Sequence, residues 1–176
     1  MNNTNGPEKR LVVVDVETTG LSAARGGRVI EVGAVALENG VIAAELDTLI
    51  CVDAPISYGA FLVHGISGEM LAGKPGPEEV WPQFMEFIGG SPLVAHSAPF
   101  DSAFVRHELA LLGIRFPNRW HCTVRKSRRA LPGLPNHGLD TVYRHLFGNI
   151  PHDARRHRAL DDARLTAMVW LALEGM

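Results

Sequence analysis

The run Leu-Val-Val-Val-Asp-Val-Glu-Thr-Thr-Gly at residues 11–20 places two carboxylates, Asp15 and Glu17, in an apolar, β-branched stretch. β-Branched residues suit a buried strand, and strand residues two apart share a face. Asp15 and Glu17 therefore point the same way from a core strand. Two such charges repel each other and lose their water, which is costly unless a cation holds them. Oxygen-only donors suit Mg²⁺ or Mn²⁺ rather than soft metals. The competing reading is a solvated strand end, where acids are harmless.

The pattern predicts strands over 11–16, 28–37 and 41–52, with Asn39-Gly40 as a hairpin turn between the last two. Residues 20–27 read as a flexible loop. Helices are predicted over 78–88, from the spacing of Val80, Trp81, Phe84, Phe87 and Ile88, and over 101–113, with Pro99 suiting the first turn. Short strands are expected at 92–95 and 120–124, and prolines make 131–138 a loop. The last helices read as 139–147 and 159–173, stopped by Gly148 and Gly175. Three strands followed by alternating helices and strands imply an α/β layer fold with a mixed sheet.

A chain of 176 residues suits one domain with a sizeable core, expected over residues 10–176 behind a loose, polar tail at 1–9. No apolar run approaches the roughly 20 residues of a membrane span, and the tail lacks a signal peptide's apolar core. A cytoplasmic protein without membrane contact is the expectation. Cys51 and Cys122 lack metal or disulfide-framework spacing and read as reduced core thiols. The net charge of −2 is a poor guide to partners, since a metal would neutralise several acids. Local clusters say more. Arg125, Lys126, Arg128 and Arg129 form one, and Arg155, Arg156 and Arg158 another. Either could follow a phosphate backbone. A solvated helix face explains the first equally well, whereas the second adjoins His157 and is read as functional.

Ala-His-Ser-Ala-Pro-Phe-Asp at 95–101 brings Asp101 to a helix start, and His-Arg-Ala-Leu-Asp-Asp at 157–162 brings His157 and Asp162 to another. These acids and the histidine, in this order, resemble the DEDD family of 3′–5′ exonucleases in its histidine subtype. From about residue 10 to 173 the chain is similar to the proofreading (epsilon) subunit of bacterial DNA polymerase III. The resemblance implies a ribonuclease H-like fold, with a mixed, mostly five-stranded central sheet flanked by helices. It also implies a two-metal site for phosphodiester hydrolysis. Carboxylates from separate elements are needed there, because no single element can surround two ions about 4 Å apart. Asp15 would bridge the ions, Glu17 and Asp162 would serve the ion that binds the attacking water, and Asp101 would hold the second. His157 would be the general base, its ordinary pKa of about 6.5 suiting proton uptake at neutral pH. The five-residue step from His157 to Asp162 turns about 140° on an ideal helix, so His157 is expected in the loop before it. Neighbouring side chains on a helix diverge by about 100°, so Asp161 reads as a solvated or capping acid.

The family's substrate contacts fall on Thr18, by its backbone N–H to the 3′-hydroxyl, and on Leu21, by apolar contact with the terminal base. Val63-His64-Gly65-Ile66 resembles the segment lining the same pocket, where His64 and Ile66 would meet terminal bases. Core packing is the equal alternative for Ile66 and the commoner fate of Phe100. Ser97 stands where many relatives have asparagine, which puts a supporting or substrate contact in doubt. His96 is expected only to support the site. The expected activity is metal-dependent 3′–5′ hydrolysis of single-stranded DNA to nucleoside monophosphates, in proofreading or repair, with a polymerase subunit as a candidate partner. Thr18-Thr19-Gly20 is more similar to the proofreading type than to the exoribonucleases. An exoribonuclease is the alternative, and a non-catalytic nucleic-acid-binding module would have no need of His157.

Overall fold

The computed structural model describes residues 10–176; the tail expected at 1–9 lies outside them. Five strands form one mixed sheet: β1 (Leu11–Thr18), β2 (Val29–Glu38), β3 (Val41–Leu49), β4 (Leu93–Ala95) and β5 (Trp120–Cys122), in the order β3-β2-β1-β4-β5. β2 pairs antiparallel with both β1 and β3, whereas β4 lies parallel to both β1 and β5. Asn39 and Gly40, at φ 52° and 80°, make the β2–β3 turn that positive-φ residues favour. The helices are α1 (Tyr58–His64), α2 (Gly68–Leu71), α3 (Pro77–Ile88), α4 (Ala98–Leu111), α5 (Thr123–Ala130), α6 (Leu139–Phe147) and α7 (Ala159–Glu174).

Strand alternation divides the core. Val12, Val14 and Val16 pack with Trp81, Phe84 and Phe104 of α3 and α4. Val13 faces the other way, onto Ala163, Ala167 and Trp170 of α7. Asp15 and Glu17 share the face of Val13, so the first carboxylates open toward α7. β2 is buried along nearly its whole length because helices cover both of its sides.

Several expectations change. β1 runs two residues further than predicted, and β3 stops at Leu49 rather than residue 52. The helix expected from 101 starts at Ala98, where Pro99 needs no hydrogen-bond partner for its missing N–H. α1 and α2 were not legible, being one to two turns long. The expected strand at 120–124 ends at Cys122, and the basic cluster is α5, which turns Thr123 and Ser127 inward. The loop at 20–27 contains a 3₁₀ turn, Ala23–Arg25, closed by Gly27 N–H donating to the Ser22 carbonyl at 3.0 Å. Both cysteines are free, but neither belongs to the core: Cys51 is exposed, the residue after buried Ile50, and Cys122 is half-buried. No helix among the described residues is long and apolar enough to cross a membrane.

Candidate active site

A cleft of about 190 Å³ at the carboxyl ends of β1 and β4 is lined by Asp15, Glu17, Asp101, Asp162 and His157, together with Ser97. The five residues singled out for chemistry thus meet from four segments. Asp15 and Glu17 come from β1, Asp101 from the first turn of α4, Asp162 from the first turn of α7, and His157 from the loop before it.

Gly33 is what lets α7 reach the others. It pairs with Asp15 across β1 and β2, and a Cβ there would fall 2.2 Å from the Leu160 nitrogen and 2.3 Å from the Ala159 carbonyl carbon. The start of α7 therefore lies directly on bare backbone beside Asp15. Between Glu17 and Thr18 the register slips, as at a β-bulge, which re-aims side chains at a strand end.

Acids also fix the loop before α7. Asp161 accepts from the Arg155 N–H at 3.0 Å, Asp162 from the His157 N–H at 3.3 Å, and Glu31 from the Ala159 N–H at 3.0 Å. His157 itself sits at φ 61° and is exposed. Among the described residues only Asn39, Ser97 and His157 are non-glycines at positive φ, and two of these line the cleft. Such backbone costs of order 1–3 kcal/mol and concentrates at functional sites. Ser97, the departure noted above, occupies a left-handed position that asparagine tolerates better.

Burial chiefly, then Asp101 and Glu17, pushes the Asp15 carboxyl well above its ordinary range. Burial, then Glu31 and Asp101, raises Glu17 to about 7, and burial raises Asp101 to about 7. Glu17, His157 and Asp162 each bring a ligand atom within 4.8 Å of the others. Hard oxygen donors held against their own repulsion fit divalent cations, and these residues would hold them. Partial loss of water around the ring, then the neighbouring Arg156, lowers the His157 pKa, which favours the neutral form that can accept a proton. Arg156 is the cleft's internal cation. It pairs with Asp162 and, at 2.6 Å from Nε, with Asp140 of α6.

The substrate candidates separate. Leu21 projects into solvent, 89% exposed. Thr18 is buried, its hydroxyl donating to the Gly20 carbonyl at 2.7 Å. His64 donates from Nε2 to the Thr18 carbonyl at 3.2 Å and accepts the Ile66 N–H at Nδ1 at 2.9 Å. Its ring is therefore committed to holding the 18–21 segment. Ile66 is fully buried against Ile30 and Leu71, so a side-chain contact with bases gives way to core packing. Phe100 is half-buried against Phe104 and also lines the cleft. His96 donates from Nε2 to the His137 carbonyl at 2.8 Å and meets the Thr123 hydroxyl at 2.7 Å. Burial lowers its pKa to about 4, which leaves it a neutral brace.

Asp161 is not solvated but buried, since it caps the loop and accepts from Arg164 at 3.0 Å. The second basic cluster is also committed internally: Arg155 to Asp161, Arg156 to Asp140 and Asp162, and Arg158 to Glu31. Glu31, Gly33 and Asp140 are the site residues that sequence reading missed. For Glu31 and Gly33 the only signal was a charge and a glycine inside an apolar strand pattern, and Asp140, in the first turn of α6, gave none.

The exonuclease (RNase T) family profile matches residues 12–170. The chain belongs to this exonuclease family. The exonuclease is 36% identical over 173 residues to a DNA polymerase III subunit epsilon of Rickettsia typhi, covering 94% of this chain and 74% of that protein. It is 38% identical over 158 residues to a DNA polymerase III PolC-type of Clostridium perfringens, covering 90% of this chain but only 11% of that protein. Exonuclease X, solved in complex with 5′ overhanging duplex DNA, superposes with a TM-score of 0.77 at 31% identity, over 94% of this chain and 91% of that one. The fold is thus ribonuclease H-like, and the enzyme class is that of the 3′–5′ exonucleases.

Proposed function

We propose that the exonuclease removes nucleoside monophosphates from the 3′ end of single-stranded DNA, with Mg²⁺ or Mn²⁺ held by Asp15, Glu17, Asp101 and Asp162. The observation that carries the reading is the meeting of these acids with His157 in one cleft. When bound, such ions polarise phosphate oxygens and lower the pKa of water. His157 takes the attacking water's proton on a ring nitrogen, and its loop position lets the imidazole approach from the open side of the cleft. Leu21 offers the terminal base an apolar surface, and the Thr18 backbone, braced by His64, offers the 3′-hydroxyl a hydrogen bond. Ser97 and Phe100 border the path of the departing nucleotide.

DNA is favoured over RNA because the similar proteins named above are DNA polymerase III polypeptides. A polymerase subunit is accordingly the proposed partner, residues 10–176 one domain, and the cytoplasm the place of action. Rates on matched DNA and RNA oligonucleotides test the substrate. Faster DNA shortening is expected, and faster RNA shortening would reassign the chain as an exoribonuclease.

A further inference from the structure

A second, larger hollow of about 1020 Å³ lies behind the first turn of α4. Helix periodicity makes that turn a ridge between the two. Ser97, Phe100 and Asp101 line the catalytic cleft, whereas Ala98, Pro99 and Ser102, on the opposite side of the turn, line the hollow. The groove continues past β5 to α5 and the end of α7.

Its charge is one-sided. Arg10, Arg125, Lys126 and Arg129 line it against a single acid, Glu174. Arg10 is engaged with Glu38 and Ser91, and Lys126 with Glu174. Arg125 and Arg129 are exposed, one helical turn apart on α5, and among the described residues neither pairs with an acid. Exposed His121, its ring 5.4 Å from that of Trp170, adds a flat surface. Unpaired arginines beside ring faces suit a nucleic-acid strand, in which phosphates and bases alternate. A protein partner would have to bring matching acids to these positions, whereas a nucleic-acid strand carries a negative charge at every nucleotide.

We propose that this groove binds the 5′-ward part of the substrate strand, with Arg125 and Arg129 on its phosphates, while the 3′ end lies in the cleft. The inference rests on the exonuclease reading above. A helix is about 10 Å across, and a stacked strand advances about 3.4 Å per nucleotide. Crossing the ridge therefore takes roughly three nucleotides, so only longer strands reach the groove.

The test compares wild type with Arg125→Glu/Arg129→Glu on three substrates: a 16-nucleotide DNA strand, a trinucleotide, and the p-nitrophenyl ester of thymidine 5′-monophosphate. The variant is expected to raise KM for the 16-mer at least about tenfold at 0.1 M salt. In EDTA, the slope of log affinity against log salt should become shallower by ~1.4, two phosphates at about 0.7 each. Trinucleotide and ester turnover should stay at the wild-type level, which also shows that the variant is folded. An unchanged 16-mer KM and salt slope would overturn the inference and leave the groove to a protein partner. Equal losses on all three substrates would overturn it as well. Failure of wild type to cleave any of the three would instead remove the exonuclease reading, and the groove's role with it.

Discussion

Arg158 donates from Nε and Nη2 to the Glu31 carboxylate at 2.9 and 2.5 Å, joining positions 127 residues apart. Glu31 also accepts the Ala159 N–H, so one carboxylate of β2 fixes both the start of α7 and the residue after His157. Glu31 is 1% exposed, and a buried acid that loses its cation costs about 3–5 kcal/mol. Arg158→Ala is expected toward the lower end, about 3 kcal/mol, because the arginine keeps some contact with water. Urea unfolding measures the loss, and kcat should fall more than KM rises because His157 loses its fixed backbone. A variant with wild-type stability and kcat would show that the pair anchors nothing.

Gly33→Ala tests the approach of α7 to β1. The added methyl would meet backbone rather than a flexible side-chain end, so α7 itself must move. Overpacking of this kind costs about 1–3 kcal/mol. Here it would also carry Asp162 away from Asp15, and isothermal titration should show weakened Mn²⁺ binding. Undiminished Mn²⁺ affinity would mean that the close approach is not what builds the site.

The sequence made the chemistry legible more fully than the architecture. Asp15 and Glu17 stand out because charge inside an apolar strand has few structural explanations, whereas Asp101, Asp162 and His157 stand out through the order and spacing of motifs that resemble the exonuclease family. Gly33 and Glu31 did not, because their meaning lies in contacts with residues about 127 positions later. Ile66 and His64 share a motif, yet only the packing around Ile30 and the hydrogen bond to Thr18 show both turned to support. The helix α5 escaped notice because its inward face is Thr123 and Ser127, small polar residues that break the apolar period.

Acidity gives a third prediction. Without divalent ions Glu17 and Asp101 stand near 7 in the folded chain, above the roughly 4 of an unfolded carboxylate. Between those values the native state holds protons that the unfolded chain has released, so stability from these groups is present at low pH and lost as pH rises toward 7. Asp101→Asn removes one such group. In EDTA at pH 7.5 it should raise Tm by at least about 2 °C, the shift that about 1 kcal/mol produces in a chain of this size. At pH 4.5 more than half of that gain should vanish. A gain independent of pH would assign the effect to packing instead.

The most direct test follows a 5′-labelled single-stranded DNA oligonucleotide with wild type, Asp162→Asn and His157→Ala, in Mg²⁺ and in EDTA, with Mn²⁺ binding measured alongside. Wild type should give a ladder shortening from the 3′ end only with metal. His157→Ala should lose about 10²–10⁴-fold in rate, the usual contribution of a general base, with Mn²⁺ affinity largely kept. Asp162→Asn should lose both. A ladder that persists in EDTA, or a His157→Ala rate equal to wild type, would contradict the assignment of this cleft as the catalytic site.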